Sequence, residues 1–505
     1  MLEGLMNIAS PIMLLFVVIG TSWGMLAGAI PGISASLAVI LIMPFTYSMT
    51  GIQSIVVLVS VYVGAMCGGS ISAILLRTPG TPSAVVTVFD GYPLAQKGQA
   101  GKALGIAITA SAVGGIISGI IMVLAAPTLA KFALRFQSAE FFALGLLGLS
   151  AIASMATKDW KKALFSGCVG VLISTVGLDY FSGVERFTFG QNWLADGIGF
   201  VPVMIGSYAF AEVYRNLLRK ELPNTDKSNT VSGNMEFVGL GHILKNWVTY
   251  LKSSIIGTIV GIMPAAGGSI ASFISYGEAV RSSKHPERFG QGEEMGIVAS
   301  EAANNAAVGG SLVPTLVLGI PGGTVTAIML AAFTMHGLVP GPMLITNQPG
   351  LLYTILLAIV IASLLLYVIG KVLSKSFAKV ATMKYSIIGT LMLALGIVGS
   401  YTLNGNVRDI GIMLVFSLLG LAFEHYGFSV PTMILGLVLG PICEKGFRKQ
   451  LIISRGDWTV FFTRPISLVV IILAVLSFMT PFIRAYLKER KEQKRAASTG
   501  GDSVK

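Results

Sequence analysis

Long apolar runs separated by short polar loops make up most of the chain. Each run is close to the length that a helix needs to cross a bilayer, roughly 20 residues. The pattern predicts an all-α, polytopic membrane protein with about 11 or 12 transmembrane helices. Broken or re-entrant segments are expected among them. The predicted spans are Pro11–Ile30, Ile52–Leu76, Ala103–Ala130, Ala139–Met155, Ala163–Phe181, Gly197–Leu218, Trp247–Ala279, Met295–Leu318 and Thr324–Ile345, with four more between Leu351 and Cys443 and a last at about Pro465–Tyr486.

Glycine and proline interrupt the apolar pattern in two places near the amino end. The first cluster reads Gly24-x-x-x-Gly28-x-x-Pro31-Gly32-Ile33-Ser34, and the second reads Thr78-Pro79-Gly80-Thr81-Pro82-Ser83. Non-helical backbone is tolerated at membrane depth only where it is buried in protein or lines a watery cavity. These clusters therefore indicate a candidate solute site.

Both clusters recur in the second half of the chain. The motif Gly257-x-x-x-Gly261-x-x-Pro264 matches the first cluster at a shift of 233 positions, and Pro321-Gly322 matches Pro79-Gly80 at a shift of 242. Between them, Gly309-Gly310-Ser311 matches Gly68-Gly69-Ser70 at a shift of 241. Paired, interrupted apolar segments at matching places in two halves are typical of the binding site of a secondary transporter.

The repeat divides the chain into two predicted halves, residues 1–218 and 247–487, joined by a polar linker at 219–246. Residues 488–505 are charged and rich in Ser and Gly, which predicts a cytoplasmic tail. Lysine and arginine are absent before the first helix but frequent before its counterpart. Because basic flanks stay in the cytoplasm, the two copies are expected to enter the membrane from opposite sides. This predicts an inverted repeat with the amino end outside and the carboxyl end inside.

Composition supports the membrane class. Of 505 residues, 54% are hydrophobic and 11% are charged, and the mean hydropathy is +0.79; soluble proteins have about 25% charged residues. The net charge of +12 does not indicate nucleic-acid binding, because the basic residues lie in short loops and at the carboxyl end. Cys67, Cys168 and Cys443 show no ligand or disulfide spacing, and we interpret them as packing residues.

These motifs resemble those of a known family. The Gly-x-x-x-Gly-x-x-Pro-Gly element, the Thr78 to Ser83 loop and the segment from Asn304-Asn305 to Pro321-Gly322-Gly323 are similar to the large membrane subunit of tripartite tricarboxylate transporters. The resemblance implies a permease of the bacterial inner membrane that works with a small membrane subunit and a periplasmic solute-binding protein and is driven by an ion gradient. The second copy departs from the pattern, with Pro264-Ala265 in place of Pro31-Gly32.

Helix amino termini can hold a carboxylate without a permanent buried charge, because their N–H groups are unpaired and their dipole end is positive. Each cluster has a Gly/Pro loop, then Ser or Thr, then an apolar run, which fits capped half-helices. The alternative is close packing of helices through small residues; for Arg77, it is an interfacial anchor. The predicted substrate-binding residues are Pro31, Gly32, Ser34, Arg77, Thr78, Pro79, Gly80, Thr81, Ser83, Pro321, Gly322, Gly323 and Thr324.

Three polar residues in an otherwise small and apolar segment are candidates for coupling to a cation. Asn304 and Asn305 offer amide oxygens that suit sodium, and Glu301 is able to carry a proton instead; the alternative for the asparagines is a hydrogen bond between helices. Asp90 and His336 follow the two loops at roughly matching places, and we interpret them as loop polarity rather than as a gate. No resident metal or cofactor is expected beyond the coupling ion, Na⁺ or H⁺.

The sequence therefore predicts a cation-coupled transporter of small organic anions, with the tricarboxylate class and the protein partners supplied by the resemblance. A stand-alone carboxylate carrier or exporter, without a binding protein, is the second hypothesis. An intramembrane enzyme that handles a lipid is a third, but no acidic pair or clustered basic site supports it. No Walker loop, nucleophile elbow or His-x-x-x-His pattern is present, and catalysis is not expected.

Overall fold

Helices dominate the fold. The computed structural model describes residues 1–30, 33–133, 135–154, 160–211, 213–214, 236–263, 267–341, 344, 347–381 and 385–479. The helices before the predicted linker are α1 Leu2–Ile8, α2 Pro11–Ala29, α3 Ala35–Thr46, α4 Gly51–Leu76, α5 Thr87–Leu94, α6 Ala100–Ala133, α7 Ser138–Ser154, α8 Trp160–Ser174 and α9 Phe200–Met204. A two-stranded antiparallel ribbon of β1 Gly177–Leu178 and β2 Glu185–Arg186 lies between α8 and α9.

The second part of the chain is also helical. Its elements are α10 Leu240–Lys245, α11 Trp247–Ile262, α12 Gly267–Ser282, α13 Glu294–Leu318, α14 Thr324–Met335, α15 Pro349–Ala381, α16 Tyr385–Asn404, α17 Val407–His425, α18 Val430–Ile453, α19 Val460–Thr463 and α20 Pro465–Met479. Short 3₁₀ or π turns lie at Pro82–Val85, Ala95–Gln99, Asn192–Leu194, Ile205–Phe210 and Pro286–Arg288.

The predicted class is confirmed. Five stretches of the described helices are long and apolar enough to cross a membrane, and six shorter apolar helices accompany them. The five are Pro11–Ala29, Gly51–Leu76, Thr87–Thr128, Pro349–Leu373 and Val430–Ile453. The protein is thus an all-α, multi-pass membrane protein.

The chain forms two compact units that alternate along the sequence. The first comprises Met1–Arg135 with Ile198–Phe423, and the second comprises Phe136–Gly197 with Glu424–Lys505. Both copies of the repeated motifs lie in the first unit. Residues 219–235 of the predicted linker lie outside the described residues. The predicted tail at 488–505 also lies outside them.

In the first unit, α2 and α3 form a helical hairpin that turns where glycine and proline interrupt the sequence. The Trp23 indole Nε1 donates to the Ala38 carbonyl at 3.0 Å, so the two helices run antiparallel. The Ser34 hydroxyl accepts from the Leu37 N–H at 3.3 Å and caps α3. At the other end of α3, the Ser54 hydroxyl donates to the Thr46 carbonyl at 2.9 Å, which brings the start of α4 beside the end of the hairpin.

The second copy forms an equivalent hairpin from α11 and α12. Near its base, Lys252 and Glu278 are paired, and nearer the turn Val260 packs with Ala271. The apolar run Trp247–Ala279 is therefore two helices, interrupted at the repeated motif that contains Pro264. Helix α11 ends at Ile262, two residues before Pro264, and a residue before proline is biased away from the helical conformation. Residues 264–266 lie outside the described residues.

Each hairpin packs on a long helix through glycine. A Cβ on Gly28 would lie 2.5 Å from the Ala65 carbonyl oxygen of α4, and a Cβ on Gly261 would lie 2.6 Å from the Ala307 carbonyl oxygen of α13. The hairpin glycines are 233 positions apart and their partners are 242 positions apart. The repeated sequence thus packs in the same way twice.

The two copies run in opposite directions. Helices α4 and α13 cross with Tyr62 next to Ser311 and with Met66 next to Asn304, so later residues of α4 meet earlier residues of α13. Each hairpin's first helix is parallel to its own long helix, since Gly20 packs on Val57 where Gly28 packs on Ala65. This geometry is that of an inverted repeat, as the charge pattern predicts.

Gly261→Ala should destabilise the protein by about 1 to 3 kcal/mol, because a methyl group there has no room between backbones. Gly277→Ala, on the same hairpin, is the matched control. A Cβ at Gly277 meets nothing within 4 Å, and alanine is the better helix former by about 1 kcal/mol. Thermal unfolding of the detergent-solubilised protein compares them, and equal midpoints would contradict the packing role of Gly261.

The second unit is built around α18, which packs on α7 and α8. Gly446, Cys443 and Leu439 of α18 contact Phe142, Gly145 and Gly148 of α7, so these helices are antiparallel. At the end of α8, the β1–β2 ribbon is held to α18 by ion pairs of Asp179 with Arg448 and of Arg186 with Glu444. The Arg448 guanidinium holds the pKa of the Asp179 carboxyl well below its usual range.

Candidate functional site

The first interrupted segment leaves α4 and folds back along it. Arg77 ends α4 in the left-handed conformation, with φ 55°. The Gly80 N–H then donates to the Gly69 carbonyl at 3.1 Å, and a Cβ on Gly69 would touch Thr81. Thr81 and Ser83 are buried, and their hydroxyls lie 3.1 Å apart. Gly80, Thr81 and Ser83 are therefore buried, and the loop is held against α4 about two turns before the end of that helix.

The second interrupted segment has the same design. Gly319 ends α13 with φ 70°, and Gly322 packs on the backbone of Ser311 as Gly80 packs on Gly69. The Gly323 N–H donates to the Thr326 hydroxyl at 2.9 Å, which fixes the start of α14. Each loop also reaches the opposite copy. The 3₁₀ turn at Pro82–Val85 packs on α12, and α14 packs on α3.

The loops flank the crossing of α4 and α13 at different levels. Tyr62 Oη lies 3.3 Å from the Ser311 hydroxyl, beside the second loop. Gly69, which holds the first loop, is seven residues farther along α4, or about 10 Å at 1.5 Å per residue. The polar side chains of α13 lie on the stretch between these two levels.

The start of α12 is where residues from the two copies converge. A Cβ built on Gly268 would lie 3.0 Å from Asn304 Oδ1, 3.4 Å from Ser83 Cβ and 2.7 Å from the methyl carbon of Met66. Because Gly268 has no side chain, the Asn304 amide oxygen and the Ser83 side chain fit beside the first turn of α12, a helix of 16 residues. Helix first turns carry unpaired N–H groups.

Asn304 and Asn305 use only half of their hydrogen-bonding capacity. Their Nδ2 groups donate to carbonyls of α4, Asn304 to Met66 at 3.0 Å and Asn305 to Val63 at 3.2 Å. Both side chains are buried, and neither Oδ1 has a partner among the residues that the structure describes. An unpaired buried amide oxygen costs free energy. A bound ligand at this point would recover that cost.

Glu301 lies one turn before Asn304, fully buried between α13, α5 and α6. Its carboxylate accepts from the Thr87 hydroxyl, from the Ser111 hydroxyl at 2.9 Å and from Asn304 Nδ2 at 3.4 Å. The donors come from three helices. Glu301 therefore orients the Asn304 amide so that its oxygen faces the start of α12.

The structure brings Ser83, Thr81, Glu301 and Asn304 of the predicted site together, with Gly80 holding the first loop in place. Arg77 is instead exposed, with its guanidinium carbon 5.7 Å from the centre of the Tyr92 ring. The remaining predicted residues are placed as follows: Ser34 caps α3, Thr78 donates to the Leu76 carbonyl, Pro79 is half-buried, Pro321 and Gly322 are buried beside α13, Gly323 and Thr324 begin α14, and Pro31 and Gly32 lie outside the described residues.

Sequence reasoning did not find Thr87, Ser111 or Gly268. Hydroxyls inside apolar helices commonly bond the carbonyl one turn back, as Thr109 does with Gly105 at 2.7 Å. The sequence therefore gives no sign of which hydroxyls bond across helices. Gly268 lies in Gly267-Gly268-Ser269, which directly follows the repeated motif ending at Pro264, and this position was the available signal.

This arrangement is chemically suited to two charges of opposite sign. Carboxylate, amide and hydroxyl oxygens are ligands for hard cations, whereas the first turn of α12 attracts an anion. Because the two features adjoin at Gly268, a cation and an anion bound there would stabilise each other.

Comparison with known proteins agrees with this architecture. The family model described as "Tripartite tricarboxylate transporter TctA family" matches residues 14–435. An Agrobacterium vitis protein described as "Uncharacterized 52.8 kDa protein in TAR-I ttuC' 3'region" is 36% identical over 489 residues, which covers 94% of this chain and 95% of that protein. A second Agrobacterium vitis protein, from a "TAR-II ttuC' 3'region", is 38% identical over 227 residues, covering 44% of this chain and 94% of its own length. No solved structure matches. The chain belongs to the TctA family of tripartite tricarboxylate transporters.

Proposed function

We infer that this chain is the permease subunit of a secondary active, cation-coupled uptake system for small organic anions, namely tri- or dicarboxylates, working by alternating access in the bacterial inner membrane. The observation that carries the proposal is the buried Asn304 Oδ1 at the start of α12, which has no partner among the described residues and lies next to Ser83 from the opposite copy. A site shared between inverted repeats and built on broken helices is typical of secondary transporters.

A cation is favoured beside Asn304 because Glu301 stands behind it. Side chains three residues apart on a helix are about 5 to 6 Å from each other. At that distance an ionised Glu301 attracts a unit positive charge by about 3 kcal/mol at an effective dielectric of about 20. The Asn304 amide oxygen and the Ser83 hydroxyl would supply ligands. Sodium and a proton on Glu301 are both compatible with this charge.

The same carboxylate opposes an anion when no cation is bound. A carboxylate substrate at the first turn of α12 would be repelled by Glu301 by a similar free energy, and a bound cation would remove that repulsion. Ordered binding follows, with the cation first and the organic anion second. This electrostatic dependence is the proposed source of coupling between the two fluxes.

Family membership supports the protein partners, a small membrane subunit and a periplasmic solute-binding protein. The tricarboxylate class also comes from the family description. A stand-alone carrier or exporter remains the alternative within transport, and an intramembrane lipid-handling enzyme remains the alternative from another class.

Reconstitution in proteoliposomes tests the function. The chain, the small subunit and the binding protein are combined with a panel of radiolabelled di- and tricarboxylates, and sodium and proton gradients are imposed separately. We expect uptake of at least one carboxylate, driven by one gradient and dependent on the binding protein. Equal uptake without the binding protein would favour the stand-alone carrier. No uptake of any carboxylate under either gradient would contradict the proposal.

A further inference from the structure

Asp90 is a fully buried carboxylate, one helical turn after Thr87 of the candidate site. It lies on α5, the short helix that follows the first loop. Its Oδ1 accepts from the backbone N–H groups of Gly290, Gly292 and Glu293 at 2.8, 2.9 and 2.8 Å, and its Oδ2 accepts from the Tyr276 hydroxyl at 2.9 Å. All four donors come from the second copy, at the base of its hairpin and in the following segment. The interpretation of Asp90 as loop polarity is therefore wrong.

A weaker contact occupies the corresponding place in the other copy. His336, at the end of α14, lies with Nε2 2.9 Å from the Thr46 hydroxyl at the end of α3. That hydroxyl donates to the Met43 carbonyl at 2.7 Å, so it accepts from the His336 N–H. Each hairpin is thus tied at its base to the short helix of the opposite copy. The contact at Asp90 is a carboxylate that accepts from four donors. The contact at His336 includes a hydrogen bond between neutral groups.

We propose that Asp90 and Tyr276 form a clasp that closes the second hairpin on the face of the protein that carries Lys97 and Gln291. The clasp joins the moving parts that an opening must separate, α12 with its following segment on one side and α5 on the other. Helix α5 also contains Thr87, whose hydroxyl donates to Glu301. Asp90 is therefore a positioning residue for the site. The inference rests on the proposed transport function, because a clasp has a role only if the hairpin opens.

Several basic residues place this face in the cytoplasm by the positive-inside rule. Lys97 and Lys102 flank the start of α6, Arg281 lies in the last turn of α12, and Lys284 and Arg288 follow the hairpin. The Asp90 clasp is therefore the inner closure. Hydrogen bonds to a charged group are stronger than neutral ones, so the inner closure should open less readily than the outer closure at His336.

Thiol labelling tests the clasp without any solute. Ser275 is the reporter position, because it is buried one residue before Tyr276 and its hydroxyl has no partner among the described residues. Ser275→Cys is made in a chain whose Cys67, Cys168 and Cys443 are replaced by alanine and which still elutes as a single membrane-protein peak. A membrane-impermeant maleimide is then applied to vesicles of either orientation.

Asp90→Asn should raise the labelling rate of Ser275→Cys about ten- to a hundred-fold from the cytoplasmic face, the range expected for a lost charged hydrogen bond. Tyr276→Phe removes one donor and should raise it several-fold; it decides the matter if Asp90→Asn does not insert. His336→Ala, on the other closure, should leave the rate unchanged. Unchanged labelling in Tyr276→Phe and in folded Asp90→Asn, or an equal rise in His336→Ala, would overturn the clasp. Since no carboxylate is present, failed uptake would count only against the proposed function.

Discussion

Asn304→Ala is expected to weaken the apparent affinity for sodium, where sodium is the coupling ion, about ten- to a hundred-fold, the equivalent of one lost hydrogen bond or ligand to a charged group. The variant removes the amide oxygen that faces the start of α12, while Glu301 keeps its bonds from Thr87 and Ser111. The site therefore keeps its negative charge and loses a ligand. Uptake of the carboxylate as a function of sodium concentration in proteoliposomes gives the half-saturation value. If a proton on Glu301 is the coupling ion, the shift is toward tighter proton binding, because the variant also removes the Asn304 Nδ2 donor from the Glu301 carboxylate.

Asn304→Ala also deletes the bond from Nδ2 to the Met66 carbonyl, which joins α13 to α4. Tyr62→Phe is the matched control, because it breaks the Tyr62–Ser311 hydrogen bond between the same two helices and leaves the site intact. If uptake depends only on the packing of α4 against α13, both variants will lose uptake. If Asn304 binds the ion, Tyr62→Phe will keep the ion dependence of the unaltered protein. Normal ion dependence in Asn304→Ala would reduce Asn304 to a packing residue.

The repeat and its inversion were predictable from sequence. The residue of α13 that corresponds to each residue of α4 was not. The tripeptides Gly68-Gly69-Ser70 and Gly309-Gly310-Ser311 align at a shift of 241 by identity. In the structure Gly80 packs on Gly69 where Gly322 packs on Ser311, which is a shift of 242. The second copy accommodates the Cβ of Ser311 at this contact, whereas a Cβ on Gly69 would lie 2.5 Å from Thr81 Oγ1, so the two positions correspond in place but not in residue type. Residue identity therefore misled by one position.

The break between α11 and α12 was predictable from the motif that contains Pro264, but the return of the chain along itself was not. An apolar run of this length satisfies the requirement for one crossing, and hydropathy does not distinguish a straight span from a chain that turns back. The pairing of Lys252 with Glu278, 26 positions apart, shows that the chain turns back. Two charged side chains near the base of a hairpin reach each other, whereas in one straight helix they would be about 40 Å apart.

Polarity within an apolar segment was enough to predict from the sequence that Glu301, Asn304 and Asn305 are buried polar groups, which are costly and so carry information. The same argument failed for Asp90. Helix α5 is short and follows a loop, so a charge there was consistent with exposure. Its burial depends on three backbone N–H groups about 200 positions away. Such long-range donors have no local signature.

Arg77→Gly is expected to fold normally and to lose uptake by about ten-fold, the lower end of the effect of a charge that steers an anionic substrate toward its site. Arg77 and Gly319 end their helices in the same way. Each has positive φ, and each donates its N–H to the carbonyl five residues back, Ser72 or Pro314. The second copy thus shows that glycine fits this position. A left-handed conformation costs a non-glycine residue about 1 to 2 kcal/mol.

Relief of that cost is offset by the greater freedom of glycine in the unfolded chain, about 0.5 to 1 kcal/mol, so the free energy of unfolding should change by less than about 1 kcal/mol. Loss of uptake in Arg77→Gly therefore cannot be attributed to misfolding, as it could be for most charge deletions. Arg77→Lys retains the positive charge and the backbone strain, and should keep most of the uptake if the charge steers the anion toward the first loop. Full uptake in Arg77→Gly, measured with an unchanged unfolding midpoint, would instead identify Arg77 as an anchor at the membrane surface, packed over Tyr92.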